Sequence, residues 1–371
     1  MKRLLKKYMV LILSVLFFTS LLSSCAFKDI DKRIFVQGIS IDYTGKEDKP
    51  YKITLKLAIP TGSLKEAEGN KYGYLSREDS SLAGAIRFLK TYADKEPDFG
   101  HGKIILLGEE LLEHNIEDVM DFFYRRRDIQ MISWVAVGNP TAEDVLKTEP
   151  VSEMAASNLL TNLFSKNGVE SAYTISTFLF EMKREFSEPG IDPILPVIQT
   201  NKEKSKVKVN KSVVLKNNHN DLHLSSKYTQ SFNVLTNRIN KYDLRVREED
   251  VHFLVAIDSI KVKYKIDTSE EIPVIKMNVK QAGIIEESFE EMSASQLDHY
   301  GDLASKAAKK NIVSFLKLLQ EEDADPLGFG LRYRATRIHN RDTYEEWKEL
   351  YPKVKFDVRV KTAIKSTGTI E

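Results

Sequence analysis

The first residue that could do chemistry is Cys25, the single cysteine of the 371-residue chain. In Leu22-Ser23-Ser24-Cys25 a leucine lies three positions before the cysteine, and two small residues lie between them. This is the pattern of a bacterial lipobox. Cleavage between Ser24 and Cys25 would leave a cysteine that carries a diacylglyceryl thioether and could also carry an N-acyl group. Two acyl chains are enough for stable anchoring to a membrane. The alternative is an ordinary secretory signal with a cysteine placed there by chance.

The residues before Cys25 support an export signal. Lys2, Arg3, Lys6 and Lys7 precede an uncharged run over residues 8–22. A basic start, a short apolar core and small residues are typical of a secretory signal. The run is shorter than the roughly 20 apolar residues of a transmembrane helix. We therefore predict a signal peptide over 1–24, a lipidated tether over 25–33 and a protein at a membrane surface.

Histidines could bind a metal or act as a base, but their surroundings favour neither role. His219 and His223 have the four-residue spacing that places two imidazoles on one helical face for a metal. The asparagine-rich segment around them is typical of a loop, and no third ligand cluster is evident, so solvated loop histidines are favoured. His101 lies between two glycines and could be a general base. Without a nucleophile or acid pair beside it, a structural histidine is favoured.

Three other motifs have a functional and a structural interpretation. Asp98-Phe99-Gly100 copies a kinase tripeptide, but the other kinase motifs are missing, which favours a turn. Arg125-Arg126-Arg127 could bind phosphate or lipid, although basic residues in a last helical turn more often oppose the helix dipole and face water. Gly328-Phe329-Gly330 lacks the strand-then-helix context of a phosphate loop and favours a tight helix exit. We predict no catalytic residue, cofactor or metal.

Composition argues against a nucleic-acid partner. The chain has 55 basic and 54 acidic residues, and the signal holds four of the basic ones, which leaves 51 against 54. Nucleic-acid binders depend on neutralising phosphates and are usually basic. A single cysteine also excludes a disulfide within the chain, so packed cores must supply the stability.

Periodicity predicts alternating groups of strands and helices. Strands are expected at 34–42, 51–59, 103–108, 131–138, 207–216, 251–257, 259–266, 272–286 and 353–361, with the first two forming a hairpin. Helices are expected at 80–96, 109–127, 152–166, 174–187 and 293–320, and one more is expected to begin with Asn139 or Thr141 as its cap. The helix over 293–320 should either pack across its own sheet or contact a partner.

Prolines and lysines mark the predicted domain boundary. Pro189, Pro193 and Pro196 lead to the lysine-rich segment 201–211. We place an N-terminal domain at 34–200 and a C-terminal region at 201–371, which could divide into modules at about 207–265 and 266–371. The expected class is α+β, with two to three modules, each a mainly antiparallel or mixed sheet flanked by helices.

Four separated blocks carry a resemblance to a known family. They are the lipobox followed by Ile34 to Asp42, the segment Phe99 to Glu110 with Ile116 to Phe123, Asp192 to Pro196, and Asp325 to Gly330 followed by Trp347, Tyr351 and the final alternating strand. In this order they resemble the C subunit of bacterial spore germinant receptors, the Ger(x)C lipoproteins. The resemblance covers essentially the whole chain after Cys25.

The resemblance implies a non-enzymatic receptor subunit. Ger(x)C proteins act beside polytopic A and B subunits, on the outward side of the spore inner membrane. Their complex senses nutrients and triggers germination. The family fold is a three-module α+β assembly, and only Cys25 transfers as a functional residue. The alternatives from other classes are a solute-binding lipoprotein that captures the nutrient itself, and a surface-anchored hydrolase.

Overall fold

The computed structural model describes residues 2–21, 30–59, 72–114, 116–148, 164, 171–216, 220–248, 251–337 and 342–368. Helix α1 (Lys2–Leu21) occupies most of the predicted signal segment. After it, the described chain forms two β-sheets flanked by helices, which confirms the predicted α+β class. Among the helices described, none has the length and apolar character needed to cross a membrane.

The first sheet is mixed. Its strands are β1 (Arg33–Tyr43), β2 (Tyr51–Ala58), β3 (Tyr72–Asp79), β4 (Glu96–Asp98), β5 (Ile104–Gly108), β6 (Trp134–Asn139), β7 (Ile194–Thr200), β8 (Val207–Val214) and β9 (Leu222–Leu224). Their order is β3–β2–β1–β5–β6–β7–β8–β9, with β4 beside β1. The central strands β1, β5, β6 and β7 are parallel, and the outer strands are antiparallel. The predicted hairpin of β1 and β2 is confirmed.

Helices cover both faces of the first sheet. The helices are α2 (Leu82–Leu89), α3 (Ile116–Arg125), α4 (Ala142–Leu146) and α5 (Leu179–Ser187). Ile105 and Leu107 of β5 share a core with α2, α3 and α5, whereas Ile104 and Leu106 share a core with α4. Successive side chains of a strand point to opposite faces. A strand covered on both faces must therefore be apolar throughout, as β5 is.

Several predicted helices differ from the observed ones. The helix expected over 80–96 is capped by Ser81 and ends at Leu89, before β4 begins. The helix expected over 109–127 is a 3₁₀ turn, Glu109–Glu113, followed by α3. The helix expected over 174–187 begins only at Leu179. Of the two predicted caps, Asn139 and Thr141, the observed one is Thr141, which accepts a hydrogen bond from the Asp144 N–H at 3.0 Å. Of the helix predicted over 152–166, only residue 164 is described.

The second sheet has the order β10–β11–β12–β13. Its strands are β10 (Tyr242–Glu248), β11 (Val251–Asp267), β12 (Val274–Ser288) and β13 (Lys355–Ile364). The first three are antiparallel, and β12 and β13 are parallel. The two strands predicted at 251–257 and 259–266 are one strand, because the pairing continues through a bulge between Ile257 and Ser259. A bulge leaves the two strands paired on either side of it, but it interrupts the alternation of apolar and polar residues from which a strand is predicted.

The chain crosses from β12 to β13 through three helices, α7 (Leu297–Glu321), α8 (Phe329–Ala335) and α9 (Thr343–Leu350). Helix α7 packs on its own sheet, which settles the alternative that the sequence leaves open. The Thr362 N–H of β13 donates to Ser305 Oγ at 2.8 Å. A Cβ atom on Gly301 would lie 2.7 Å from the Thr362 carbonyl oxygen. The glycine therefore allows the helix to approach the strand closely.

The first sheet includes β8 and β9, which follow residue 200, the predicted main boundary. Of the lysine-rich segment 201–211, residues 201–206 form the turn between β7 and β8, with Lys204 at φ 52°, and the rest belong to β8. Helix α6 (Ser226–Leu235) comes next. Residues from β7, β8 and α6 share one core with the second sheet, among them Ile194, Val214 and Phe232.

Candidate functional site

Two segments far apart in the sequence meet where α5 leads into β7 and α7 leads into α8. The Asp325 N–H donates to Asp192 Oδ2 at 2.6 Å. In return, the Asp192 N–H donates to the Asp325 carbonyl oxygen at 3.1 Å. These reciprocal bonds join two of the four blocks that carry the family resemblance. We call this place the junction, defined by residues 188–192, 323–334, 344, 347, 348 and 351.

Asp325 organises the turn that starts α8. Its Oδ1 accepts from the Phe329 N–H at 2.9 Å, and its Oδ2 accepts from the Gly330 N–H at 2.7 Å. Gly328 takes the left-handed conformation, with φ at 69°, so that these N–H groups turn toward the carboxylate. A phosphate loop would offer the same N–H groups to a ligand. Here the side chain of Asp325 occupies them. The glycines that were predicted to form a helix exit instead form the entry to the next helix.

The Asp325 carboxyl is buried and the Asp192 carboxyl is half-buried, and this changes their acidity. Burial, helped by the nearby charge of Asp192, raises the pKa of Asp325 to about 7, although the N–H groups of Gly330 and Phe329 favour the charged form. Burial also raises the pKa of Asp192 to about 6, against the N–H of Asp325. The pair therefore takes up protons at a higher pH than exposed aspartates do.

Aromatic rings close one side of the junction. Trp347 lies between Tyr333 and Tyr351, with ring centroids 5.0 Å and 5.5 Å away. The Tyr351 hydroxyl donates to the Ala324 carbonyl oxygen at 2.8 Å. A cleft of about 80 Å³ remains between the rings and the carboxyls. Ligand pockets usually have volumes of about 300–1,000 Å³. The cleft is therefore several times smaller than a usual ligand pocket.

A contact between two glycines completes the junction. Gly190 has φ at 95°, and a Cβ atom on it would lie 2.6 Å from the carbonyl carbon of Gly330. The Leu331 N–H donates to the Gly190 carbonyl oxygen at 2.7 Å. Arg334 donates to the Pro189 carbonyl oxygen at 2.6 Å. The geometry is that of a tight structural connection in which protonation of two carboxyls can change stability.

The predicted site residues fall elsewhere. Ser24, Cys25 and His219 lie outside the described residues. The half-exposed His223 ring has its Nδ1 3.7 Å from Glu109 Oε1. Within the described part of the chain, no group of three or more His, Cys, Asp or Glu side chains has the geometry of a metal site.

His101 and the tripeptide before it are parts of a turn, as predicted. Asp98 Oδ1 accepts from the Gly100 N–H at 2.9 Å, and a 3₁₀ turn over Phe99–His101 leads toward β5. The His101 ring packs edge-on against Phe35, with centroids 4.6 Å apart. These contacts are those of a structural histidine.

The arginines at the end of α3 pair with nearby acids. Arg125 Nε donates to Asp121 at 2.5 Å, one helical turn earlier. Arg126 binds Asp128, and its guanidinium lies 4.5 Å from the centre of the Phe99 ring. Arg125 is exposed at the helix end, as the helix-dipole interpretation predicts.

The contact between Asp192 and Asp325 was not predicted. Both residues belong to blocks noted for their resemblance, but the sequence gives no sign that the blocks touch. The sequence feature that could have indicated the contact is an acidic residue within an apolar, proline-containing segment, because a buried carboxyl needs hydrogen-bond partners.

Two family models match the chain. The model described as "Spore germination protein N-terminal domain" covers residues 27–200. The model described as "Spore germination B3/ GerAC like, C-terminal" covers residues 196–368. Together they extend from just after Cys25 almost to the last residue.

Two curated proteins are similar over much of their length. "Putative spore germination protein YfkR" of Bacillus subtilis (strain 168) is 21% identical over an alignment of 372 positions, which covers 92% of this chain and 92% of that protein. "Spore germination protein GerQC" of Bacillus cereus is 20% identical over an alignment of 282 positions, which covers 74% of this chain and 77% of that protein.

A solved structure shares the fold. The crystal structure of the GerBC protein matches with a TM-score of 0.57 and 20% sequence identity. The match covers 88% of this chain and 97% of the solved chain. It shows that the two-sheet architecture is one already seen in a solved protein.

Proposed function

Because the chain belongs to the spore germination GerAC-like family, the Ger(x)C proteins, we propose that it is a non-enzymatic lipoprotein subunit of a nutrient germinant receptor. In this role it is required to trigger spore germination. Its partners are the polytopic A and B subunits of the receptor. Its place is the outward side of the spore inner membrane.

One observation carries the proposal. The two family models begin at residue 27 and end at residue 368, so the region that resembles spore germination proteins starts directly after the lipobox cysteine. The predicted export signal and lipidation motif would thus lead directly into the region that the two family models match. This arrangement is what an anchored subunit requires.

The tether keeps the folded body close to the membrane. β1 begins at Arg33, eight residues after Cys25. A fully extended chain spans about 3.5 Å per residue, so the tether reaches about 28 Å at most. The sheets therefore stay within reach of membrane subunits beside the anchor.

The junction supports a role without catalysis. The oxygens of Asp325 accept backbone N–H groups, and Asp192 Oδ2 accepts another. A catalytic carboxyl has to reach a substrate proton in an accessible site. The buried pair instead holds two segments together, which suits a subunit that transmits or supports a conformational state.

Replacing the lipidation residue tests the proposal. We expect Cys25→Ala to abolish incorporation of labelled fatty acid, to move the protein out of the membrane pellet and to impair nutrient-triggered germination. Ser24→Ala keeps a small residue before the cysteine and is the matched control, with normal labelling and germination. Unaltered membrane partition together with normal germination in Cys25→Ala would contradict the proposal.

A further inference from the structure

A basic cavity lies between helix α6, strand β10 and helix α7, away from the junction. Its volume is about 520 Å³, within the usual range for small-molecule sites. The charged residues that line it are Lys227, Asp243, Arg245, Arg247 and Lys310. Four of these side chains are cationic and one is anionic, so the lining carries a formal charge of +3.

The four cations have no acidic partner among the residues that the structure describes. Elsewhere on the molecule, exposed cations commonly pair with acids, as Lys46 does with Glu78 and Lys365 with Asp258. These four side chains are exposed, so solvent screens their mutual repulsion, and the single carboxylate of Asp243 offsets it only in part. An anion that enters the cavity relieves the repulsion that is left.

Strand β10 places two of the cations by simple alternation. Leu244 and Val246 are buried in the core, so Arg245 and Arg247 project from the other side of the strand. β10 is the outer strand of its sheet and pairs only with β11 in the described chain. Lys227 and Lys310 line the same cavity from the flanking helices on the core side, so the cavity extends around the free edge of β10.

Neutral groups in the cavity add hydrogen-bonding capacity. Tyr173 and Asn311, which carry a hydroxyl and an amide, also line the cavity. Gln230 Nε2 donates to the Asp243 carbonyl oxygen at 3.3 Å. Of the apolar residues that line the cavity, Leu254 is half-buried, whereas Leu244 and Ala307 are buried beneath it. Several charged groups together with polar and apolar surface are the composition of a binding site.

We propose that this cavity binds a small polyanion that carries two or more carboxylate or phosphate charges. Arginine forks bind both groups in a bidentate manner, which gives affinity and orientation together. A single negative charge would leave most of the cationic lining unneutralised. The same chemistry could come from a soluble metabolite or from an anionic lipid headgroup. The inference does not depend on the proposed receptor role.

Titration calorimetry on the purified full-length chain tests the soluble source, with pyrophosphate and citrate as probes at constant ionic strength. We expect saturable binding that weakens as potassium chloride rises, because salt screens charges. Arg245→Gln/Arg247→Gln should weaken it by at least about tenfold, since two charge-assisted contacts are lost. Lys227→Gln/Lys310→Gln, which changes the helical side of the cavity, should do the same.

The matched control is Lys261→Gln/Lys280→Gln, which removes the same charge from exposed positions of β11 and β12 outside the cavity. It should bind like the wild type, and all variants should keep the urea midpoint of the wild type. A second arm compares neutral vesicles with vesicles containing phosphatidylglycerol. The lipid anchor contributes equally to both, so a preference for the anionic vesicles that the cavity variants lose identifies the headgroup source. No binding in either arm, or equal binding by the cavity and control variants, would overturn the proposal.

Discussion

At the scale of single residues, the junction shows a carboxyl used for structure and not for chemistry. Asp325 accepts two backbone N–H groups and donates its own N–H to Asp192, 133 residues earlier in the chain. The sequence blocks around these residues could be recognised one by one. Their contact could not, because a hydrogen bond across that separation is set by how the two sheets pack and leaves no local pattern.

Removing the Asp325 carboxyl should destabilise the protein. In Asp325→Ala the N–H groups of Phe329 and Gly330 stay buried without an acceptor, which costs about 1–3 kcal/mol each. Urea denaturation should show a lower free energy of unfolding by at least about 2 kcal/mol. Asp94→Ala, at an exposed position, is the control and should change it little. Equal stability of the two variants would contradict the role assigned to Asp325.

The buried carboxyls should make stability depend on pH. Burial raises the pKa of Asp42 and Asp192 to about 6 and that of Glu185 and Asp325 to about 7. The folded state therefore binds more protons than the unfolded state between about pH 4 and pH 7, so this contribution to stability falls as pH rises through that range. The pKa of Glu143 shifts the other way, from 4.5 to about 2. Its contribution to stability is therefore lost as the pH falls through that lower range.

Asp325→Asn isolates one of these groups. The variant cannot ionise at position 325, so its free energy of unfolding should fall less than that of the wild type between pH 4.5 and pH 7.5. Urea denaturation at several pH values measures both slopes. Parallel slopes would show that Asp325 does not titrate with the raised pKa.

At the scale of elements, periodicity predicts the long, regular helices and strands. It fails where tertiary contacts change the local backbone. The face of α7 was predictable, since Tyr300, Ala304 and Phe315 recur at helical spacing and are buried. β10 is not among the predicted strands, although Tyr242, Leu244 and Val246 alternate as regularly, because polar, asparagine-rich residues precede it. The bulge in β11 and the 3₁₀ turn before α3 are tertiary adjustments that a repeat cannot reveal.

The close approach of α7 to β13 should depend on Gly301. Alanine is intrinsically about 1 kcal/mol better than glycine inside a helix. Its Cβ would nevertheless lie 2.7 Å from the Thr362 carbonyl oxygen, and the backbone of a paired strand cannot easily move. We expect Gly301→Ala to be less stable by about 1–3 kcal/mol in urea denaturation.

The neighbouring Asp302→Ala is the matched control for Gly301→Ala. It makes a substitution to alanine on the exposed side of the same helical turn and should be neutral or slightly stabilising. If both variants were stabilised alike, helix propensity would dominate and the close approach would not matter.

At the scale of the whole molecule, the two sheets are joined by a continuous core and by the junction. Residues before and after position 200 share that core, as Ile194 and Val214 do with the second sheet. Composition indicates where the chain becomes rich in prolines and lysines, but it cannot show which strands pair across that position. The family and its α+β class could be inferred from ordered sequence blocks, whereas the junction and the basic cavity required the packed structure.

The contact between Gly190 and Gly330 should couple the unfolding of the two halves. In Gly190→Ala a Cβ would meet the Gly330 carbonyl carbon at 2.6 Å, at a backbone φ of 95° that disfavours alanine. We expect faster proteolytic cleavage near residue 190 and a broader or split thermal transition. Gly73→Ala is the control, since its Cβ would have ordinary contacts from 3.8 Å outward. Identical cleavage and melting in both variants would contradict this coupling.

Germination of spores that lack this chain, exposed to a panel of single nutrients, tests the proposed receptor role most directly. We predict loss of the response to at least one nutrient, and recovery of that response when the wild-type chain is returned but not when Cys25→Ala is returned. An unchanged response to every nutrient in spores that lack the chain would contradict its role as a germinant-receptor subunit.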